Sequence, residues 1–325
     1  MNTQRKIRLA LIGCGEHAEV GHAIPLARYR AAHPDRIELA SACDIQVDRA
    51  LKFCATYGFR TSYSDIGEML SQEKIDGCIM VVPPEKISEV GVRLLERSIP
   101  CVVEKPLGAT WPEVKALCSA AVSTGTPNMV SVNRRFMPFL SSALHWVGNA
   151  GPIRCIRSTM ARHARTEPEF IWATAVHAVD TLRYIGGDVA RFDCQPVRSS
   201  AGFVPWYTIQ LQFQSGAEGR VDVMPTSGML EETYDMYGDG FRVSVTCPFG
   251  RKRGWFAYRD GVAVKEELGA ADMAEDVLNG CYDEASAFIE ALRDDRSLKP
   301  TIADVAPSVE ICMSIAKSMG LEKTK

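Results

Sequence analysis

From residue 7 to about residue 133, short apolar runs alternate with stretches whose apolar residues recur every three to four positions. The runs at 7–12, 37–43, 76–82, 100–104 and 128–132 read as strands, and the segments 18–31, 46–57, 64–71, 85–97 and 112–124 read as amphipathic helices. Strands separated by helices are what a parallel sheet requires, because each parallel neighbour must be reached by a crossover. Pro84 and Pro112 stand at helix starts, where a missing N–H leaves no bond unmade. The pattern predicts a doubly wound α/β domain over residues 1–133.

The pattern changes after about residue 150. A helical stretch at 173–186 is followed by β-like runs at 190–198, 206–214, 217–224, 230–237, 241–247 and 254–259. Tight turns such as Gln214-Ser215-Gly216 and Gly238-Asp239-Gly240 join consecutive runs, which predicts a mostly antiparallel sheet. Helical patterns at 283–294 and 302–319 close the chain, and the second has the apolar spacing of a helix that packs on a domain. A second, α+β domain with an open, predominantly antiparallel sheet is therefore expected over 134–325, with the hinge between 133 and 152. The C-terminal helix is expected to pack back on the first domain.

Composition narrows the class. Apolar residues make up 46% and charged residues 24% of 325, as in a globular enzyme, and the net charge of −3 gives no basic stripe for nucleic acid. Eleven cysteines, an odd number with no C-x-x-C pair, read as free thiols in a reducing compartment. Neither they nor the six histidines have metal-ligand spacing, so no metal is expected. The first strand begins within a few residues of the N-terminus, without a signal-type apolar stretch, and no apolar run is long enough to span a bilayer. A cytoplasmic protein with no membrane or nucleic-acid partner is expected.

Candidate chemistry begins at the end of the first run, at Gly13-Cys14-Gly15-Glu16-His17-Ala18. Gly13 permits a tight turn, Gly15 lets the backbone approach a pyrophosphate, and Ala18 lets the helix pack closely on the strand. Unpaired N–H groups at the helix start, on Glu16, His17 and Ala18, face the same phosphates. The second run ends on Asp44, placed to accept hydrogen bonds from adenosine ribose hydroxyls and to repel a 2′-phosphate. NAD is favoured, with NADP as the alternative. The plainer reading of Asp44 is a cap for the next helix.

Ligands of open α/β sheets sit beyond the carboxyl ends of the strands. Val82-Pro83 and Glu104-Lys105-Pro106 therefore fall near the nicotinamide end of such a cofactor. A lysine beside a cationic ring is suited to general acid–base work, whereas the bland reading pairs it with Glu104 at the surface.

Taken together, the glycine turn, Asp44, Glu104-Lys105-Pro106, Asn133-Arg134-Arg135-Phe136-Met137-Pro138 and His177-Ala178-Val179-Asp180 resemble the Gfo/Idh/MocA family (glucose-fructose oxidoreductase, inositol dehydrogenase and MocA-like proteins). The resemblance runs through almost the whole chain. It implies a Rossmann domain and an NAD(P)-dependent oxidoreductase of sugars, polyols or related molecules, assembled as a homodimer or homotetramer. It also implies Lys105 as the catalytic lysine, fixed by its neighbours Glu104 and Pro106, and His177 as a partner of the reacting oxygen. Two departures stand out. The aspartate usual four residues before that histidine is Ala173 here, and Val82-Pro83-Pro84-Glu85 lacks the usual histidine. Lys105 and His177 must then suffice, or Thr174 or Asp180 contributes in place of the aspartate.

Further candidates for the substrate are Arg135, Arg157 and Trp172. The basic cluster Arg154, Arg157, Arg162, His163 and Arg165 reads either as a pocket wall or as a solvated sheet face, and Trp172 either as a stacking floor or as core. A different class stays open beside the enzyme: a dinucleotide-binding sensor or assembly subunit whose chemistry has lapsed, suggested by Ala173 and opposed by the intact Glu104-Lys105-Pro106.

Overall fold

The computed structural model describes residues 6–197 and 206–321, which fall into two compact units. One runs to Val132 and takes in Cys281–Pro307; the other is Asn133–Gly280 and the chain from Ser308. The division falls at Pro307, inside the helix Ile302–Ser318.

In the first unit, β1 (Ile7–Ile12), β2 (Ile37–Cys43), β3 (Thr61–Tyr63), β4 (Gly77–Met80), β5 (Cys101–Glu104) and β6 (Asn128–Ser131) form one parallel sheet. Their order is β3-β2-β1-β4-β5-β6, the doubly wound arrangement whose chain reverses direction beside β1. The strands are almost continuously buried, as a sheet covered on both faces demands. β3 is the strand that no apolar run announces: it is a short edge whose first residue is exposed. The segment 281–307 also belongs here. Its helix Cys281–Arg293 lies against the first helical segment, Val130 N–H bonds Pro300 O (2.8 Å), and Ile302 N–H bonds Asn128 Oδ1 (2.9 Å).

The helix leaving the glycine turn is not regular. It starts as α-helix at Glu16–Ala18, widens to a π turn at Glu19–Ala23 and resumes as α-helix at Ile24–Ala32. Pro25 explains the change. Its nitrogen carries no hydrogen and its ring would clash with the carbonyl four residues back. The turn opens instead, and Ile24 N–H reaches Glu19 O, five residues away.

In the second unit, eight strands form one sheet. In chain order they are β7 (Ile153–Ala161), β8 (Val189–Val197), β9 (Trp206–Phe213), β10 (Glu218–Met224), β11 (Glu231–Gly238), β12 (Phe241–Thr246), β13 (Gly254–Arg259) and β14 (Val262–Leu268). Across the sheet the order is β14-β13-β12-β11-β7-β10-β9-β8; β7 and β10 are parallel and every other pair is antiparallel. Residue 198, the last of the expected run 190–198, lies outside the described residues. The helix Val176–Gly186 lies against β7 and β10, and Pro138–Gly148 lies against β12 and β13. Side chains alternate accordingly. Ile156, Ser158 and Met160 are buried, while Arg157, Gln210, Gln212, Arg220 and Arg242 are exposed on the other face. Residues 133–152, within which the hinge was expected, hold the turn Asn133–Phe136 and the helix Pro138–Gly148.

Candidate active site

At the end of β1 the chain turns sharply under β4. Gly13 has φ +85°, and a Cβ there would lie 1.9 Å from Val81 O, so only glycine fits. The turn is tied to β2 twice: Gly13 N–H donates to Cys43 O (2.8 Å) and Cys14 N–H donates to Asp44 Oδ2 (2.8 Å). Asp44 Oδ1 accepts from Gln46 N–H (2.8 Å), just ahead of the helix Val47–Tyr57. The buried carboxylate thus steadies a helix start and braces the glycine turn, while its oxygens keep lone pairs for ribose hydroxyls. Burial, then the nearby Asp44 charge, pushes the Cys14 thiol up to about 12, so the turn carries no thiolate beside a phosphate.

Gly15 behaves differently from Gly13. Its φ is −85° and nothing lies within 4 Å of where a Cβ would stand. The fold itself does not need glycine there. Open space in that direction, beside the first N–H groups of the helix at Glu16, His17 and Ala18, is what a dinucleotide pyrophosphate requires. The residues present therefore fit the cofactor. Asp44, the glycine turn, Val82-Pro83 and Glu104-Lys105 stand at the carboxyl ends of β2, β1, β4 and β5, which are neighbours in the sheet.

Glu104 is 4% exposed and is held by two imidazoles. His22 Nε2 lies 2.8 Å and His17 Nε2 lies 3.1 Å from the same oxygen, Oε1. Burial alone would raise this carboxyl, but the two histidines outweigh it and hold it well below the usual carboxylate range. Glu104 is therefore not a surface partner for Lys105; its carboxylate faces the helix of the glycine turn. Lys105 itself is half-buried, and two residues later Leu107 is fully buried at φ +75°, a conformation that non-glycine residues rarely adopt. His22 was absent from the sequence-based candidates. The readable signal for it is Pro25, which forces the turn that aims it.

The second unit redistributes the remaining candidates. His177 is 6% exposed on the helix Val176–Gly186, and its N–H donates to Thr174 O (3.1 Å). Asp180 is 1% exposed; Arg135 grips both its oxygens (2.7 and 2.8 Å) and Ser308 donates to one of them (2.8 Å). Arg135, half-buried, and Asp180, buried, thus form a bidentate pair with each other. Trp172 is buried in the core, and Thr174 Oγ1 lies 3.4 Å from Arg165 Nη2. Arg157 stands over the Tyr237 ring on the sheet face away from the helix that carries His177.

The basic cluster does not form one wall. Arg154 pairs with Asp239 at the surface (2.9 Å), whereas Arg162 is buried against Glu232. Arg134 meets Glu232 from another side (2.8 and 3.1 Å), Tyr234 donates to the same carboxylate (3.0 Å), and Phe249 lies against both guanidinium groups. Among the described residues, no group of three or more His, Cys, Asp or Glu side chains is placed to hold a metal ion. No helix among them is long and apolar enough to cross a membrane.

A glycine turn braced by an acidic strand end, at the switch point of a doubly wound sheet, is the arrangement of a dinucleotide-binding domain. Residues 7–133 match the model of the oxidoreductase family with an NAD-binding Rossmann fold, Gfo/Idh/MocA. Over those residues the chain is similar to that family. It is 25% identical over 315 residues to 4-carboxy-2-hydroxymuconate-6-semialdehyde dehydrogenase of a Sphingobium species, covering 92% of this chain and 94% of that protein. It is 26% identical over 251 residues to D-apiose dehydrogenase of Paraburkholderia graminis, covering 71% and 64%. Its fold is that of a dehydrogenase from Chromobacterium violaceum (TM-score 0.83, 18% identity, 97% of each chain). An Agrobacterium radiobacter oxidoreductase solved with NAD+, L-tartaric acid and magnesium shares it too (TM-score 0.81, 17% identity, 97% of each chain).

Proposed function

We propose that the protein oxidises a secondary alcohol, or reduces the matching ketone, on a sugar-like or polyol-like small molecule, with Lys105 as general acid–base. The observation that carries this reading is the position of Lys105 at the end of β5, beside the strand that packs on the glycine turn. NAD, when bound, supplies or accepts the hydride. In the oxidative direction the neutral Lys105 amine takes the alcohol proton as the C–H bond breaks, so that alcohol and oxidised cofactor give ketone, reduced cofactor and a proton. In reduction the protonated amine returns it. His177 is the proposed hydrogen-bond partner of the reacting oxygen. Gly13, Gly15 and the helix start at Glu16, His17 and Ala18 would hold the pyrophosphate, Asp44 the adenosine ribose, and Val82 and Pro83 would line the nicotinamide side. A homodimer or homotetramer is proposed on the family resemblance.

A second substrate class deserves equal testing. Ala173 stands where many members of the family carry an aspartate, and one relative, similar along almost this whole chain, is named for a carboxylated semialdehyde. The test is a panel of sugars, polyols and carboxylated semialdehydes with NAD+ or NADP+, followed by the absorbance of the reduced cofactor, beside calorimetric titrations with NADH and NADPH. We expect tight NADH binding, weak NADPH binding and turnover of a member of one class. NADH binding without turnover across the panel would favour the sensor reading instead.

A further inference from the structure

We propose that His22 and His17 are positioning residues for Lys105, acting through Glu104. The reasoning starts from Pro25. In a regular α-helix, residues five apart point about 140° away from each other, so His17 and His22 would not share a face. The π turn over Glu19–Ala23 closes on the fifth residue, and both imidazoles converge on Glu104 Oε1 at 3.1 and 2.8 Å.

The two ends of this clamp are different places in the site. His17 is the second residue of the helix that starts at Gly15, and 60% of its side chain is exposed. His22 is buried, as is Glu104, the last residue of β5 and the neighbour of Lys105. Beyond Lys105 the chain enters the left-handed turn at Leu107, a conformation that persists only where its surroundings hold it. The strand end on one side and the buried Leu107 on the other thus fix the lysine backbone. A carboxylate buried this deeply, gripped by two side chains from the glycine-turn helix, ties the lysine to the segment that carries the cofactor phosphates. A catalytic group displaced by an ångström loses much of its rate, which gives the clamp its purpose.

This inference rests on the reading of Lys105 as the proton-transfer group, so its test is made on the lysine itself. The protein is reductively methylated with isotope-labelled formaldehyde, and the Lys105 dimethylamine resonance is assigned with Lys105→Arg. In the wild type we expect a resonance apart from those of surface lysines and moved by NAD+. In His22→Leu it should fall among the surface lysines, and its response to NAD+ should shrink by about threefold or more, while NAD+ affinity on the unmodified protein changes by less. His22→Gln, whose amide nitrogen reaches as far as Nε2, should restore the wild-type resonance. If His22→Leu does not fold, His17→Leu, at an exposed side chain, is expected to move the resonance the same way. A Lys105 resonance unchanged in the leucine variant, or a glutamine variant as damaged as the leucine one, would overturn the proposal. Loss of turnover in Lys105→Ala is read separately, so a failure of the catalytic reading is told apart from a failure of the clamp.

Discussion

Two glycines two residues apart do unlike jobs, and the difference can be measured. At Gly13 a methyl group would run into Val81 O in a backbone conformation that alanine resists. Gly13→Ala is therefore expected to cost more than about 3 kcal/mol of stability, seen as a large drop in the denaturant midpoint. At Gly15 the same methyl meets no protein atom. Gly15→Ala should melt like the wild type and bind NADH about tenfold more weakly or worse, by titration, because the methyl occupies the place of the pyrophosphate. Equal NADH affinity in Gly15→Ala would mean that the glycine turn is structural only. Asp44 is not the N-cap of the next helix, which is Gln46; its carboxylate accepts from Gln46 N–H and Cys14 N–H and keeps lone pairs on both oxygens, which is compatible with the proposed ribose contact.

At the scale of elements, β1 and β2 were legible to the residue because they are buried on both faces and so read as continuous apolar runs. The elements that escaped have physical reasons in common. β3 is three residues long, and β14, though it opens on Val262-Ala263-Val264, continues in charges and is exposed throughout. In β7 the exposed arginines at 154 and 157 hide the alternation behind an apparent charge cluster. The expected helix 173–186 is broken at Thr174-Ala175 into Phe170–Ala173 and Val176–Gly186. The π turn was written in Pro25, but its consequence for His22 needs the position of β5, which no local pattern gives. The turn Asn133–Phe136 is anchored by Arg134, whose buried partner Glu232 also holds Arg162. Burial works against ionisation of Glu232, but the two arginines prevail and bring its carboxyl down to about 2 from an ordinary 4.5. Glu232→Gln should then cost about 3–5 kcal/mol near neutral pH, because two buried cations lose their counter-charge. A depressed carboxylate stabilises the fold fully above 4.5 and loses that contribution as pH falls toward 2. The gap in denaturant midpoint between wild type and variant should therefore narrow in acid below about 4.5; a gap independent of pH would show that packing, not charge, is at stake.

At the scale of the whole molecule, the sequence made the cofactor half of the site readable and the substrate half obscure. The proposed cofactor contacts lie at strand ends and a helix start, whose places in a doubly wound sheet follow from chain order. The substrate candidates are side chains whose partners are distant in sequence. Arg135 and Asp180 looked like free recognition groups and are instead bound to each other, and Arg157 faces away from His177's helix. The central claim is that Lys105 moves the proton while the cofactor moves the hydride. Its most direct test is the turnover number of Lys105→Ala on the best substrate from the panel, with NADH affinity taken on the same preparation. We expect a loss of about a hundredfold or more in turnover with NADH affinity nearly unchanged. Turnover within a few-fold of the wild type would contradict it.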